Sequence, residues 1–504
     1  MAVTHTHASF SRRPNAGWLV LSVTEVCLMR RFAAIAWLML GACTVVAADA
    51  PRATQPTPLD AYVHAPDPAY KWEEVKRIDG PQSQTVVIKL TSQQWRTERD
   101  VNRPVWDHWL TVVKPAKVTT DKAFLVVAGG SHDKPAPDGA NVVVSRIAEA
   151  TGSIVAELKG IPNQPLIFHG DGVPRKEDDL IGYGWNQFLE TGDATWLPRL
   201  PMVKSAVRAM DCLQQWSAHE GAKIEKFVVA GASKRGWTTW MTGAADPRVE
   251  AIVPIVIDVL NVGESMRHHA AVYGYWAKAV GNYYQHNILQ RPTHPRMAQL
   301  YAIEDPYSYV DRLTMPKYIV NGSGDQFFVP DSSQFYYDKL PGEKHLRYVP
   351  NADHGVDSDV SAVTSMVAFY QMLLAGKPRP TLTWTFEPDG AIRVRSDTAP
   401  QRVTLWQATN AEARDFRVAT IGKAYRGAEL KAEADGSWVA RVAAPEQGWT
   451  ASFVEAAYDS GGPFPFIQST GVRVLPETRP FEGIDLATVQ YEGNLVPAAT
   501  AGGR

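Results

Sequence analysis

The chain has 504 residues, 45% of them apolar, and a formal net charge of −2. That length and apolar content allow a large buried core and two or three domains, while 51 basic against 53 acidic side chains give no electrostatic case for nucleic acid. Three cysteines in such a length exclude a disulfide scaffold.

Residues 29–48 read as a signal peptide. Met29, Arg30 and Arg31 give a basic head, residues 32–40 an apolar run too short to span a bilayer, and Val45-Val46-Ala47-Ala48 a small-residue cleavage region. Residues 1–28 then read as an upstream extension from a misplaced start. Leu40-Gly41-Ala42-Cys43 is similar to a lipobox, so two destinations stand: a secreted or periplasmic protein, or one held in the cell envelope by a lipid anchor at Cys43. No transmembrane span is expected in the mature chain. Cys27 and Cys43 lie in the leader. Cys212 shares a helix-period face with Val203, Val207, Met210 and Leu213 and reads as packing.

From residue 55 the rhythm is strand then helix. The runs 86–90 and 108–113 alternate in polarity and suit an antiparallel entry to a sheet. The runs 124–127, 154–158, 227–230, 252–257 and 318–320 are short and continuously apolar, as in parallel strands buried on both faces. Helical stretches at 201–216, after Ser233 and at 363–374 complete a doubly wound, mostly parallel α/β sheet over 55–377. Residues 261–313 separate two strands by far more than a crossover needs, so they are expected to form a lid insertion. Tyr273, Trp276 and Tyr283 in it are substrate-wall candidates, with Trp185 on an opposite wall behind Glu177-Asp178-Asp179. A helical cap packed through those aromatics is the alternative. After Gly376-Lys377-Pro378-Arg379-Pro380 the chain turns helix-poor, and hairpin signals such as Pro388-Asp389-Gly390 and Asp435-Gly436 predict a β-sandwich over 381–476, then a tail at 477–504.

The chemistry concentrates in three loops. An apolar run ends in Gly231-Ala232-Ser233-Lys234-Arg235-Gly236, a small-residue turn that presents one hydroxyl between a strand and a helix. Arg235 stands where a G-x-S-x-G turn has its second glycine, and Gly236 follows one place late. Next come Asn321-Gly322-Ser323-Gly324-Asp325 and Pro350-Asn351-Ala352-Asp353-His354-Gly355, giving the order nucleophile, acid, histidine of an α/β-hydrolase. Ser233 would attack, His354 would take and return its proton, and Asp325 would hold the imidazole tautomer. The backbone amides of Lys234 and of Gly130 or Ser131, in Gly129-Gly130-Ser131, are candidates for an oxyanion hole. Asp258 is the main alternative acid, with Asp331 and Asp353 behind it, and His132, His268, His269 and His286 are rival histidines. No Cys/His cluster has zinc-site spacing, so neither metal nor cofactor is expected.

On Ala65-Pro66-Asp67-Pro68-Ala69-Tyr70-Lys71-Trp72, Glu157-Leu158-Lys159-Gly160-Ile161-Pro162-Asn163-Gln164-Pro165-Leu166, Gly231-Ala232-Ser233-Lys234-Arg235-Gly236-Trp237 and Glu304-Asp305-Pro306-Tyr307-Ser308-Tyr309, the chain resembles the PhoPQ-activated pathogenicity-related proteins of the α/β-hydrolase superfamily. The resemblance runs from about Leu59 into the C-terminal region. It implies a secreted or envelope-associated serine hydrolase-like protein and leaves the substrate undefined. The serine turn also looks like the G-x-S-R-x-G turn of glucuronoyl esterases, with Lys234 in the arginine's place.

Three functions follow as expectations. The first is an exported serine esterase or related acyl hydrolase acting on a small-molecule ester. The second is a peptidase or aminopeptidase, with Glu177 holding the amino terminus of a peptide. The third is a non-catalytic hydrolase-like binding protein. Substrate identity and oligomeric state are not legible in the sequence.

Overall fold

A computed structural model describes residues 56–356 and 359–495. The expected leader 29–48, the extension before it, Cys43 and the end of the tail lie outside the described residues.

The strands that position the site are β1 (Lys71–Asp79), β2 (Ser83–Gln94), β3 (Val105–Pro115), β4 (Lys122–Val127), β5 (Ile154–Lys159), β6 (Lys226–Ala232), β7 (Val249–Ile255), β8 (Tyr275–Trp276), β9 (Lys317–Gly322) and β10 (Lys344–Val349). All but β8 join one nine-stranded sheet in the order β1-β2-β3-β5-β4-β6-β7-β9-β10. The pairings β1/β2, β2/β3 and β3/β5 are antiparallel, and every pairing from β5/β4 onward is parallel. Strand order reverses around β4, which opens a crevice at the carboxyl ends of β4 and β6 where α/β sheets bind ligands.

The unbroken apolar runs are explained by cover on both faces. Along β4, Phe124 packs in one cluster with the helices Val142–Thr151 and Val360–Leu374, while Leu125 packs in the other with Arg199–His219 and Lys234–Ala245. Cys212 is fully buried in the second of these.

Two sheet strands, β1 and β10, carry no such signal. β1 is the exposed edge and reads Lys-Trp-Glu-Glu-Val-Lys. β10 carries His345 and Arg347, and both are buried. His345 bonds Gln468 at 2.8 Å and Glu343 at 2.7 Å, and Arg347 donates to the Ser361 carbonyl and hydroxyl, each at 2.6 Å. Of these partners Gln468 lies 123 positions away, beyond the reach of local periodicity.

The helix-poor region forms two antiparallel sheets, one of Leu382–Phe386, Ile392–Ser396 and Trp438–Ala440, the other centred on Arg402–Asn410 and Trp449–Tyr458. Their buried side chains continue the clusters of the parallel sheet, and Tyr318 of β9 donates to the Ile467 carbonyl at 2.7 Å. The described residues from Pro56 onward accordingly form one compact unit. The insertion between β7 and β9 is helical, with Val262–Tyr273 and Met297–Glu304 as its longer helices. Residues 479–494 run back over it. Gln490–Tyr491 pair in parallel with β8, and Tyr491 stacks on Tyr284 with centroids 5.6 Å apart. Among the described residues no helix is long and apolar enough to cross a membrane.

Candidate active site

β6 passes into the helix Lys234–Ala245 through Ser233, whose φ of 59° and ψ of −127° are strained for a residue with a side chain. The Ser233 N–H donates to the Ile255 carbonyl at 2.8 Å, and its own carbonyl accepts from Trp237 N–H at 2.9 Å, so backbone on both sides enforces the turn. The late glycine is required. A Cβ on Gly236 would sit 2.9 Å from the carbonyl oxygens of Gly231 and Ile255, and one on Gly231 would sit 2.6 Å from the Arg235 carbonyl oxygen. The tight approach of helix to strand therefore falls at position 236, and residue 235 is free to carry a long side chain.

Arg235 uses that freedom to tie three segments together. Its guanidinium grips the Glu177 carboxylate at 2.8 and 2.7 Å and donates from Nε to the Ile161 carbonyl. It lies so close over Gly129 that a Cβ there would come within 2.6 Å of it. Glu177 also meets Lys234 Nζ at 3.0 Å and accepts from Gln164 Nε2 at 2.6 Å, and Gln164 donates to the Gly130 carbonyl at 2.9 Å. Burial pushes the Glu177 carboxyl up, but hydrogen bonds from Arg235 and the charges of Arg235 and Lys234 outweigh it and bring the pKa down to about 2. The candidate oxyanion segment Gly129-Gly130-Ser131 is thus fixed to the elbow through Arg235, Glu177 and Gln164. Gly130 takes a φ of 134° with room for a Cβ only 3.3 Å from the Gly160 nitrogen, and Ser131 Oγ donates to the Gln164 carbonyl at 3.2 Å. The Lys234 amide opens its helix and is one of the first N–H groups, which have no acceptor within the helix itself.

Asp325 follows β9 and His354 follows β10. The structure brings them together, with His354 Nδ1 2.7 Å from Asp325 Oδ2, while Asp325 Oδ1 accepts from the Phe327 N–H at 2.8 Å. Asp325 is buried and His354 largely so. The Phe327 ring lies 4.3 Å from the imidazole centroid, and His354 Nε2 is buried with no hydrogen-bond partner among the described residues. Gly322 lets the two loops meet, since a Cβ on it would fall 2.4 Å from the Asp353 carbonyl oxygen. Ser233 lines a cavity of about 60 Å³ together with Phe327 and Phe328, the rings that pack on His354. Trp185 and Tyr283 also line it, with Ile257, Val259 and Met266. Tyr273 and Trp276 do not line it and pack instead around His269 in the body of the insertion.

The rival residues have other partners. Asp258 is fully buried and accepts from Tyr336 at 2.7 Å and Tyr348 at 2.5 Å. Asp353 accepts from the Gly355 N–H at 2.8 Å. His268 forms a second buried histidine-aspartate couple with Asp331 at 2.8 Å, but Arg414 also holds that carboxylate at 2.7 Å, so the couple fastens the insertion to the loop that follows the strand Arg402–Asn410. His286 pairs with Asp179 at 2.6 Å, His132 faces the Pro165 carbonyl at 3.2 Å, and His269 accepts from the Ala277 N–H at 3.1 Å. Among the described residues no group of three metal-ligating side chains is assembled.

Burial raises the Asp258 pKa to about 7 against the hydrogen bonds of Tyr348 and Tyr336. A carboxyl raised in the folded state destabilises the fold increasingly as pH climbs from its ordinary range through about 7, where it must ionise in place. Asp258→Asn, which keeps both tyrosines in hydrogen bonds, is expected to leave the melting temperature near wild type at pH 5 and to raise it at pH 8. Equal shifts at both pH values, read by calorimetry, would contradict a protonated Asp258.

An elbow serine and an aspartate-held histidine on an α/β-hydrolase-like sheet, with a strand-rich region added, are the equipment of a catalytic hydrolase. Of the three residues that sequence reasoning singled out, the structure joins His354 to Asp325 and sets Ser233 in the strand-to-helix turn. Sequence reasoning missed the Arg235-Glu177-Gln164 network and the Phe327-Phe328 wall. The one available signal for the network was the departure at Arg235 itself.

The model of the family described as PhoPQ-activated pathogenicity-related protein matches residues 59–417. Autocrine proliferation repressor protein A of Dictyostelium discoideum is 39% identical over 453 residues, covering 84% of this chain and 92% of that protein. Among solved structures, acetyl xylan esterase 1 from Thermoanaerobacterium sp. is 15% identical with a TM-score of 0.45, covering 63% of this chain and 94% of that one. The glucuronoyl esterase from Solibacter usitatus is 14% identical with a TM-score of 0.34, covering 55% of this chain and 73% of that one. With most of its sheet, the elbow and the histidine loop inside the matched span, the chain belongs to the PhoPQ-activated pathogenicity-related protein family.

Proposed function

We propose that the protein is a serine esterase that hydrolyses esters of small apolar acyl groups through Ser233, His354 and Asp325. The observation that carries this reading is the couple between His354 Nδ1 and Asp325, which leaves Nε2 without a hydrogen-bond partner among the described residues, while Phe327 and Phe328, whose rings pack on His354, line a cavity together with Ser233. Asp325 holds the proton on Nδ1, so Nε2 is the basic nitrogen and takes the Ser233 proton as Oγ attacks the ester carbonyl. The tetrahedral oxyanion is met by the Lys234 amide and an amide of Gly130 or Ser131. Collapse expels the alcohol, protonated by His354, and a water activated by the same nitrogen then releases the acid. At about 60 Å³ the cavity has room for a group of a few heavy atoms, since by this measure a water needs roughly 10–15 Å³.

The peptidase reading gave Glu177 the task of holding a substrate amine. That carboxylate is already held by Arg235, Lys234 and Gln164, which favours the esterase. The binding-protein reading leaned on Arg235 as a broken elbow, and the elbow glycines are in place at 231 and 236. The leader at 29–48 supports export. Purified protein is expected to cleave p-nitrophenyl acetate and butyrate far faster than aminoacyl anilides, and faster aminoacyl anilide cleavage would reverse the assignment. Asp325→Asn leaves the imidazole in the wrong tautomer and is expected to lower kcat by about a thousandfold or more with KM little changed.

A further inference from the structure

We propose that a basic groove beside the oxyanion segment binds sugar rings that carry a carboxylate, as in an acidic polysaccharide. The groove encloses about 410 Å³ between the open face of the antiparallel strands and the loop after β4, and Gly130, Ser131 and Gly160 are among its lining residues. Its floor is set by register. Lys89 of β2 pairs with Trp109 of β3, which pairs with Lys159 of β5, so the three side chains stand side by side on one face of the sheet. The Trp109 indole is pinned by its N–H, which donates to the Lys134 carbonyl at 3.2 Å.

Four cationic side chains line the groove, Lys89, Arg103, Lys134 and Lys159, against the single carboxylate of Asp107. Asp107 accepts from the Thr91 hydroxyl at 2.7 Å, and Lys159 reaches Glu157 at 3.3 Å. Lys89, Arg103 and Lys134 have no carboxylate within ion-pair distance among the described residues, and Arg103 Nε is buried without a partner. The two histidines add no charge at neutral pH, because burial lowers the pKa of His108 to about 4 and that of His132 as well.

An indole platform takes the apolar face of a pyranose, and ammonium groups on either side of it take a carboxylate on the ring's rim. A neutral sugar would leave the cations unanswered, and a flexible acidic peptide would leave the indole idle. The groove shares Gly130 and Ser131 with the candidate oxyanion segment. Binding itself does not depend on whether Ser233 is catalytic.

The test is calorimetric titration of the full chain with trigalacturonate, maltotriose and hexaglutamate. Trigalacturonate is expected to bind at least about tenfold more tightly than maltotriose and to weaken as ionic strength rises from about 0.05 to 0.5 M. Trp109→Ala is expected to cost about tenfold in affinity, and Trp109→Phe to restore most of it by keeping a ring. Lys89→Gln, at an exposed position that does not threaten folding, is expected to cost about threefold and flatten the salt dependence. No trigalacturonate binding up to about 5 mM, which corresponds to a free energy of only about 3 kcal/mol, would overturn the proposal. So would hexaglutamate binding of equal strength that survives Trp109→Ala, which would mark a general polyanion site.

Discussion

Ser233→Ala is expected to abolish covalent labelling by a fluorophosphonate probe and to lower ester hydrolysis by about a thousandfold or more. Mass mapping of the wild-type adduct to the peptide that contains Ser233 is the matching positive result, and labelling that persists in the alanine variant would remove Ser233 as the nucleophile. The backbone adds a second, independent expectation. A φ of 59° is costly for serine and comfortable for glycine, so Ser233→Gly is expected to be equally inactive yet more stable than wild type by about 1 kcal/mol. Loss of function with a gain in stability is what a residue held in strain for its chemistry should show. A glycine variant that melts lower would mean that the hydroxyl holds the fold together.

Arg235→Ala is expected to cost about 2 kcal/mol of stability and about a hundredfold in kcat/KM, with fluorophosphonate labelling slowed and not abolished. The stability figure falls below the range for a fully buried pair because the Glu177 side chain keeps 40% of its exposure to solvent. The activity loss comes from freeing the Gly129-Gly130 segment, which Arg235 holds by contact and Gln164 by a hydrogen bond to the Gly130 carbonyl. Arg235→Lys cannot make the two-pronged contact to Glu177 and is expected to recover little. Because the Glu177 pKa is lowered to about 2, the stability it contributes is full above the ordinary glutamate range and is lost as pH falls toward that value. The gap between wild type and Arg235→Ala should therefore close on acidification. A constant gap from pH 6 to pH 3 would show that Arg235 acts by packing alone.

How much of this could be read beforehand depended on the range of the interactions. Strands β4 to β7 and β9 were legible because burial on both faces leaves a mark in consecutive residues. The turn at Ser233 and the loops of Asp325 and His354 could be picked out because each is a glycine-marked segment just beyond an apolar run or strand. β10 was not legible, because its polar side chains His345 and Arg347 are buried against partners that include Gln468 and Ser361, which local alternation does not reveal. The same holds for Arg235. Its misfit to the usual turn was visible, but its purpose required Glu177 and Gly129, which approach it only in three dimensions. Tyr273 and Trp276 show the converse. Aromatic content marked the insertion, and nothing in the spacing separated rings facing the cavity from rings packed among themselves.

The pairing of Gln490–Tyr491 with β8, reinforced by the Glu492 carboxylate on the Lys278 N–H at 2.7 Å and on Arg417 at 3.1 Å, bears on the order in which the molecule is finished. During synthesis the elbow emerges more than two hundred residues before its enclosure is fastened, and at about 5–20 residues per second that interval lasts ten seconds or more. A nascent chain would hold the Ser233 turn before the insertion that carries β8 is tied down by Gln490–Tyr491.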